Sequence, residues 1–281
     1  MALDCRPAAL TLRQFINMKK ILFVLLLAAA GCSAPQKLAT TERPNTAIAD
    51  GKLFTAFFQQ RAAEYRALCF QAYNFARVRL DQQLAMEGRP KAIITDIDET
   101  VLDNSAYAVH QGLLRKDWDQ QSWYNWTALA EADTVPGAPS FLWYASARGV
   151  QIFYVTNRDE KERAATLKNL QKFRLPNADD AHLVLKQGTS SKEARRQQIM
   201  ANYEVLLLLG DNLADFSSLF DKKTEDERKN NTNVSAGSFG SRFIVLPNAN
   251  YGDWENAFYR YNYSLTAAQK DSIIRAGVRS Y

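Results

Sequence analysis

The pattern of apolar and polar positions divides the chain into a helical N-terminal region and a series of short buried strands. Between Leu53 and Met86, apolar residues recur at the three- and four-residue spacing of one helix face, which predicts one or two long amphipathic helices. Further along, apolar runs alternate with helical patterns and occupy residues 92–95, 149–155, 182–185, 205–209 and 243–246. Such runs are typical of strands buried on both faces. We therefore predict an α/β fold in which helices cover both faces of a parallel sheet.

Two carboxylates, Asp96 and Asp98, stand one residue apart directly after the first apolar run. Open parallel sheets place ligand chemistry at the carboxyl ends of their strands. Side chains at positions i and i+2 of a strand point the same way, so we expect both acids to face one reaction centre. Two close carboxylates repel each other unless they share a cation or one of them is protonated. The sequence therefore predicts a metal site or two acids in different protonation states.

Polar residues also follow the next three apolar runs. They are Thr156, Asn157 and Arg158 after the second run, Lys186 and Lys192 after the third, and Asp211 and Asp215 after the fourth. This order resembles the four motifs of the haloacid dehalogenase superfamily of phosphatases, in which an Asp-x-Asp-x-Thr segment is followed by a Ser or Thr, a Lys and a pair of acids. Four motifs in the expected order, each at a strand end, favour this resemblance over a solvated acidic turn.

The resemblance implies a catalytic role for each matching residue. Asp96 would be the nucleophile that attacks phosphorus, and Asp98 would be the general acid and base. The hydroxyl of Thr156 and a lysine would hold the phosphoryl group, and Lys192 fits that motif better than Lys186. The resemblance also implies a haloacid-dehalogenase-like core with a smaller helical cap over the active site.

The resemblance further implies Mg²⁺ as the cofactor. Its ligands would be the carboxylate of Asp96, the backbone carbonyl of Asp98 and the carboxylate of Asp211. Asp215 would hold a water molecule bound to the metal. This oxygen-rich set suits Mg²⁺, which prefers oxygen ligands and keeps several of its waters.

A narrower resemblance is carried by the Asp-Ile-Asp-Glu-Thr form of the first motif, by Gly-Asp-Asn-Leu-x-Asp-Phe from residue 210, and by the late segment 244–255. These sequences resemble the lipoprotein e(P4) family of class C acid phosphatases, bacterial surface lipoproteins with 5′-nucleotidase activity. The resemblance runs from about residue 53 to about residue 261. It implies hydrolysis of nucleoside 5′-monophosphates, with nicotinamide mononucleotide as a further candidate, through an aspartyl-phosphate intermediate.

In that family, aromatic side chains sandwich the base of the nucleotide. The matching positions are Trp123, Tyr251 and Trp254, and we expect Asn157 and Arg158 to contact the substrate as well. Stacking tolerates any base, which suits a broad nucleotidase. Two alternatives stay open: a broad acid phosphatase or phosphotransferase without nucleotide preference, and a surface lipoprotein that binds haem.

The N-terminal region has the pattern of a lipoprotein leader. Two lysines precede an apolar segment at 21–30, which is too short to cross a hydrocarbon core of ~30 Å but suits a signal peptide. Residues 1–31 are therefore predicted to be a signal peptide, and Cys32 is predicted to carry the lipid. Ser33 stands where an Asp would retain a lipoprotein at the inner membrane. The predicted location is thus the bacterial outer membrane, with the protein lipid-anchored and either periplasmic or surface-exposed.

The remaining chain divides into a tether and one enzyme domain. Residues 32–50 lack periodicity, which predicts a flexible tether that begins with the lipidated cysteine, and residues 51–281 form the phosphatase domain. Within that domain we place the core at about 90–103 and 141–250, and the helical subdomain at about 51–88 and 104–140. A homodimer is one possible assembly.

Composition excludes several other classes. The formal net charge is +5, and three of these charges come from residues 1–31, which hold four basic residues and one acidic residue. The rest of the chain is close to neutral, so no nucleic-acid partner is predicted. His110 and His182 are the only two histidines, which argues against phosphatases built on a catalytic histidine or on several histidine ligands. Cys69 has no partner outside the leader and Cys32, so no internal disulfide is expected.

Overall fold

The computed structural model describes residues 47–84 and 88–281. The predicted signal peptide and Cys32 therefore lie outside the described residues. In chain order, the strands are β1 (Lys91–Thr95), β2 (Leu102–Asp103), β3 (Asp133–Thr134), β4 (Gln151–Val155), β5 (Leu183–Val184), β6 (Glu204–Gly210) and β7 (Phe243–Val245). Five of them form one parallel sheet in the order β5-β4-β1-β6-β7, and β2 pairs antiparallel with β3.

The three middle strands of the parallel sheet are mainly apolar after their first residues, Lys91, Gln151 and Glu204, because both of their faces are covered. Ile94 of β1 pairs with Phe153 of β4 and with Leu208 of β6. Ile94 belongs to the apolar cluster on one side of the sheet, and its neighbour Ile93 belongs to the cluster on the other side. The predicted parallel sheet with helices on both faces is thus confirmed.

The helices connect these strands and supply the covering layers. They are α1 (Ala47–Arg61), α2 (Ala63–Leu84), α3 (Ser105–Leu113), α4 (Gln120–Leu129), α5 (Ala138–Ser146), α6 (Arg163–Lys172), α7 (Glu193–Asn202), α8 (Glu225–Val234), α9 (Asp253–Phe258) and α10 (Ala267–Gly277). Side chains of α2, α5 and α6 pack in the cluster around Ile93, whereas α7 packs in the cluster around Ile94. Within residues 47–84 and 88–281, no helix is long and apolar enough to cross a membrane.

The two N-terminal helices have different partners. α1 packs against α3, where Gly112 permits the approach: a Cβ at this position would lie 2.9 Å from the Cβ of Leu53. α2 instead packs on the sheet through a buried stripe that includes Cys69, Tyr73 and Leu80. Two boundaries therefore differ from the sequence-based division. α2 belongs with the core. Helix α1 begins at Ala47 and buries Ile48, so the last residues of the predicted tether already belong to this helix.

The insert between β1 and β4 is mainly helical, as predicted, but it also contains a small sheet that the sequence pattern did not indicate. β2 and β3 pair through Leu102 with Thr134 and Asp103 with Asp133. Each strand has only two residues, too few to produce a periodic pattern. The pairing closes the base of the insert, so α3 and α4 stand over the carboxyl end of β1.

Candidate active site

A cavity of about 520 Å³ opens at the carboxyl ends of the central strands. Most of the chemistry predicted from the sequence meets here, because the residues that line the cavity include Asp96, Asp98, Trp123, Thr156, Asn157, Arg158, Lys192, Asp211, Asp215 and Tyr251. The cavity has two ends. The phosphoryl end is the part around Asp96, and the leaving-group end is the part between the helical insert and the segment 250–263.

At the phosphoryl end, one lysine joins two carboxylates. Lys192 Nζ lies 2.5 Å from Asp96 Oδ1 and 2.7 Å from Asp215 Oδ1, and all three side chains are buried. Burial raises the pKa of Asp96 to about 7; Lys192 opposes this shift, while Asp215 adds to it. Burial also disfavours the charge on Lys192, yet the two carboxylates outweigh burial and raise its pKa. The lysine therefore remains a cation beside Asp96.

The positions of these groups follow from the backbone. The amide of Asp96 donates to Leu209 O at 2.9 Å, so the hydrogen-bond ladder of the sheet extends one residue past β1. Lys192 is the residue that precedes the first turn of α7. Asp215 lies on a 3₁₀ turn after β6, and Gly210 is required there because a Cβ would collide with the Asp215 carboxylate. The glycine of the fourth motif thus permits the close approach of its second acid.

Three carboxylates at this end form a cluster that fits a divalent cation. One oxygen each of Asp96, Asp211 and Asp215 lies within 4.8 Å of the others. Burial and the neighbouring Asp215 and Asp96 raise the pKa of Asp211 well above its ordinary value. Asp211 Oδ2 accepts a hydrogen bond from Asn248 Nδ2 at 2.7 Å, which fixes its orientation. Three acids, two of them buried and Asp211 partly exposed, beside a single lysine carry an excess of negative charge, and a bound cation would neutralise it.

The carboxylate of Asp98 faces the same cavity but stands outside that cluster. Arg158 holds it with two nitrogens, Nη2 at 2.7 Å from Oδ1 and Nε at 3.1 Å from Oδ2. Asn104 Nδ2 donates to Asp98 Oδ1 at 2.9 Å, and Trp126 Nε1 in turn donates to Asn104 Oδ1 at 2.8 Å. Arg158 lines the cavity but is only 3% exposed, and its guanidinium is held on Asp98.

The second motif lies beside Asp96 at the end of β4. The amide of Thr156 donates to Val184 O at 3.0 Å, and its side chain is fully buried against the cavity. Arg195 Nη1 donates to Thr156 O at 2.6 Å, and Arg195 Nη2 donates to Asn157 Oδ1 at 2.7 Å. Arg195 thus fixes the loop from which Thr156 and Asn157 enter the site.

The two candidate lysines, Lys186 and Lys192, differ in their position relative to the cavity. Lys186 pairs with Asp159 at 2.6 Å and does not line the cavity. Lys192 contacts Asp96 directly. Of the two, Lys192 is therefore the lysine that lies in the cavity beside Asp96.

The leaving-group end has an aromatic lining. Trp123 packs edge-to-face on Tyr107 with ring centroids 5.2 Å apart, and both line the cavity from the insert. Tyr251 lines the cavity from segment 250–263 and donates its hydroxyl to Glu99 Oε2. Burial and the adjacent Asp98 raise the pKa of Glu99 to about 8. Trp254 does not line the cavity; it is 46% exposed, and its Nε1 donates to Tyr251 O at 3.2 Å.

Three residues that shape the site were not assigned a role from the sequence. Glu99 holds Tyr251, Asn104 holds Asp98, and Arg195 holds the second motif. Glu99 follows directly on Asp98 of the first motif, and its backbone has the left-handed conformation, with φ of 56°. An acid that adjoins the motif was a visible signal, and Asn104 lies only six residues after Asp98, whereas Arg195 lies 39 residues from Thr156.

Comparison with known proteins identifies the class that this fold and site define. Residues 25–254 match a family described as HAD superfamily, subfamily IIIB (acid phosphatase). The chain belongs to this family of the haloacid dehalogenase superfamily.

Two solved structures that are similar to this chain identify the class of acid phosphatase more closely. A class C acid phosphatase from Bacillus anthracis is 37% identical, with a TM-score of 0.81 and a match covering 83% of this chain and 99% of that one. A structure of the class C acid phosphatase from Bacillus anthracis with tungstate bound gives 37% identity, a TM-score of 0.80 and coverage of 83% and 98%. The predicted relation to class C acid phosphatases is confirmed, and the protein is an acid phosphatase that hydrolyses phosphoric monoesters.

Proposed function

We propose that this acid phosphatase hydrolyses nucleoside 5′-monophosphates, nicotinamide mononucleotide among them, with Mg²⁺ and through an aspartyl-phosphate on Asp96. The observation that carries the proposal is one cavity with a buried carboxylate–lysine centre at one end and aromatic side chains in the lining of the other. The first end suits a phosphoryl group, and the second suits a flat base.

In the first step, an oxygen of Asp96 attacks phosphorus while the bond from phosphorus to the leaving oxygen breaks. Lys192 and the Thr156 hydroxyl bind phosphoryl oxygens and stabilise the charge that spreads over them. Asp98, oriented by Arg158, transfers its proton to the leaving oxygen. The products of this step are a nucleoside and a phosphorylated Asp96.

In the second step, water attacks the phosphoryl group on Asp96. Asp98, now ionised, removes a proton from that water, and inorganic phosphate leaves with Asp96 restored. The bidentate contact with Arg158 keeps Asp98 in one orientation for both transfers.

The carboxylates of Asp96 and Asp211 would hold the cation, with Asp215 beside them and the Asp98 carbonyl as a further ligand. Bound Mg²⁺ would supply positive charge that offsets the repulsion between the Asp96 carboxylate and a phosphate dianion. The excess of negative charge in the three-carboxylate cluster supports this assignment. The tungstate complex of the Bacillus anthracis enzyme supports the phosphoryl-binding role of the site instead, since tungstate is a tetrahedral oxyanion like phosphate.

The aromatic walls support a nucleotide as the substrate. Trp123 is 9% exposed and Tyr251 is 37% exposed, and both line the cavity, one from the helical insert and the other from segment 250–263. Stacking on either ring needs no base-specific hydrogen bond, so purines, pyrimidines and nicotinamide all fit. A haem-binding role has less support, because neither His110 nor His182 lines the cavity.

A lipid anchor on Cys32 and an outer-membrane location are part of the same proposal. The support is the leader pattern at residues 1–31 and the cysteine that follows it. Growth with radiolabelled palmitate should label the wild-type protein and leave Cys32→Ala unlabelled. Unlabelled wild-type protein recovered in the soluble periplasm would reject the anchor. Homodimer formation stays a prediction that light scattering of the purified protein would test.

The substrate proposal is tested by phosphate release from residues 33–281, with and without Mg²⁺. The substrates are nucleoside 5′-monophosphates, nicotinamide mononucleotide and phenyl phosphate. We expect activity only with the metal, and a higher kcat/KM for the nucleotides. Equal values for nucleotides and phenyl phosphate would make the enzyme a general acid phosphatase, and phosphate transfer to an added nucleoside would make it a phosphotransferase.

A further inference from the structure

Ion pairs connect the two segments that line the leaving-group end of the cavity. Asp117 lies in the insert between α3 and α4, and Glu255 lies in the first turn of α9, within segment 250–263. Both residues line the cavity, as does Lys52 of α1. Lys52 Nζ lies 2.8 Å from Asp117 Oδ1 and 3.4 Å from Glu255 Oε2. One lysine from a third part of the chain therefore holds both segments, and we call these three residues the Lys52 bridge.

The groups of the Lys52 bridge are charged and largely shielded from water. The side chains of Lys52, Asp117 and Glu255 are 19%, 29% and 13% exposed. Burial opposes the charge on Lys52, yet Glu255 and Asp117 outweigh burial and raise its pKa. Burial likewise opposes the ionisation of Asp117, but Lys52 and Lys270 lower its pKa to about 2. Salt screens shielded pairs less than exposed ones, so the bridge persists at ordinary ionic strength.

Each acid of the bridge is coupled to an aromatic residue of the cavity lining. The carboxylate of Asp117 also accepts from the amide of Trp118 at 2.8 Å, and Trp118 lines the cavity. The amide of Glu255 donates to Gly252 O at 3.1 Å, directly after Tyr251. The distance between the two acids therefore affects the distance between aromatic residues of the two segments.

A second lysine holds Asp117 but does not complete the bridge. Lys270 Nζ of α10 lies 2.5 Å from Asp117 Oδ2. Within residues 47–84 and 88–281, Lys270 forms no ion pair with an acid of segment 250–263, whereas Lys52 pairs with an acid of each segment. The connection between the two segments thus depends on Lys52.

We propose that Lys52 is a positioning residue that sets the separation of the insert and segment 250–263, and through it the selectivity for large leaving groups. A large flat leaving group has to fit between both segments, so its binding depends on their separation. A small leaving group does not fill this space. The inference rests on the proposed nucleotidase function for the choice of a nucleotide, but the dependence on leaving-group size needs only the phosphatase activity.

The test measures KM and kcat in the presence of Mg²⁺ for a nucleoside 5′-monophosphate, 1-naphthyl phosphate and phenyl phosphate. Lys52→Met keeps most of the length of the side chain and removes its charge. It should raise KM for the nucleotide and for naphthyl phosphate about 10-fold, within the range for one lost stacking contact. KM for phenyl phosphate and kcat for all three substrates should stay close to wild type. Lys52→Arg keeps the charge and should restore most of the selectivity.

Glu255→Met tests the same bridge from its other end. It should raise the same two KM values, and the double variant Lys52→Met with Glu255→Met should show no further loss, because both changes break one connection. This variant also decides the question if Lys52→Met does not fold. The matched control is Lys116→Met, since Lys116 lines the cavity but is exposed and forms no ion pair among the described residues. It should keep the wild-type KM values.

Three outcomes would overturn the inference. An equal loss on phenyl phosphate and on the larger substrates would mean that the bridge supports the fold as a whole. A loss in Lys52→Met that is absent from Glu255→Met would mean that Lys52 binds the leaving group directly. The same loss in Lys116→Met would attribute the effect to the charge of the cavity and not to the bridge.

Failure of the nucleotidase proposal gives a different result. The wild type would then show similar kcat/KM for the nucleotide and phenyl phosphate, while KM for naphthyl phosphate would still rise in Lys52→Met. If the wild type prefers nucleotides and Lys52→Met leaves KM of both larger substrates unchanged, the nucleotidase proposal stands and the role of Lys52 is rejected.

Discussion

The phosphoryl end and the leaving-group end of the cavity are built in different ways. At the phosphoryl end, each reactive side chain comes from the end of a sheet strand or from the turn that follows it. Asp96, Thr156 and Lys192 are all at most 9% exposed. At the leaving-group end, the walls come from helices and loops of the insert and from segment 250–263, and Tyr251 is 37% exposed.

This difference separates catalysis from selectivity. The phosphoryl group is common to every substrate, and its chemistry requires groups held in one geometry, which a sheet edge provides. The leaving groups vary, and an aromatic wall on a partly exposed segment can accept several of them. We therefore expect changes at the first end to affect all substrates alike, and changes at the second end to depend on the leaving group.

The largest effect is expected at Asp96. Asp96→Asn keeps the shape of the side chain but removes the nucleophile, so kcat should fall on the order of 10⁴-fold or more for nucleotides and aryl phosphates alike. Steady-state kinetics on both substrate types measure this fall, and equilibrium binding should show that the variant still binds a nucleotide. Retention of substantial activity in Asp96→Asn, after contaminating phosphatase is excluded, would remove the covalent step from the account.

The next effect concerns the cation at the phosphoryl end. Chelation should abolish activity toward every substrate, and Mg²⁺ should restore it. A second readout is thermal stability. Asp96 has a pKa of about 7 in the metal-free folded protein against 3.8 as its ordinary value, so its ionisation destabilises the fold progressively between these pH values and fully above the upper one.

Added Mg²⁺ should therefore raise Tm more at pH 7.5 than at pH 5, since at pH 5 protons already relieve part of the repulsion. Asp211→Asn removes one acid of the cluster, so it should raise the metal-free Tm and reduce the Mg²⁺-dependent increase. Differential scanning calorimetry of both proteins measures these shifts. A Tm that does not respond to Mg²⁺ at either pH would contradict the assignment of the cluster as a metal site.

A smaller effect is expected where an arginine orients the general acid. Arg158→Met removes the two-nitrogen contact to Asp98, so kcat should fall by ~10²-fold, with the larger loss for nucleotides, whose leaving alkoxide needs a proton. p-Nitrophenyl phosphate has a better leaving group and should lose less. Arg158→Lys should recover part of the rate. If KM rises while kcat is unchanged, Arg158 binds substrate, as the sequence first indicated.

The smallest effects belong to the aromatic walls. Trp123→Ala and Tyr251→Ala should each raise KM for nucleotides by an amount equivalent to ~1–3 kcal/mol, with little change in kcat. Phenyl phosphate should lose less. Tyr251→Phe is the matched control, because it keeps the ring but removes the hydrogen bond to Glu99. Equal losses on both substrate types would mean that these rings support the fold and not the base.

The sequence predicted the phosphoryl end more completely than the leaving-group end, because the residues of the phosphoryl end stand next to recognisable strands in the sequence. Asp96, Thr156 and Asp211 each follow an uninterrupted apolar run, so the strand and the sheet edge could be inferred from neighbours in sequence. Contacts between residues that are distant in sequence leave no pattern of this kind in the sequence. The expected contact of Arg158 with the substrate stays a prediction. Its pairing with Asp98 was not predicted, because the pair joins residues from two different strand ends.

The packing partners of the helices also could not be predicted from the sequence. Both α1 and α2 have periodic apolar positions, but periodicity does not say which surface a helix covers, and α2 packs on the sheet. Trp254 was grouped with Tyr251 from their proximity in sequence, yet the first turn of α9 points its ring away from the cavity lining. Side-chain direction in a short helix depends on its tertiary packing.

The most direct test of the covalent mechanism is to trap phosphate on Asp96. p-Nitrophenyl phosphate needs little acid assistance, so Asp98→Asn should still form the phosphorylated enzyme but lack the base that activates water. Acid quench followed by mass spectrometry should then find one phosphoryl group on the peptide that contains Asp96. The double variant Asp96→Asn with Asp98→Asn should carry none. Release of nitrophenol without any phosphorylated protein, or a label that persists in the double variant, would contradict the account.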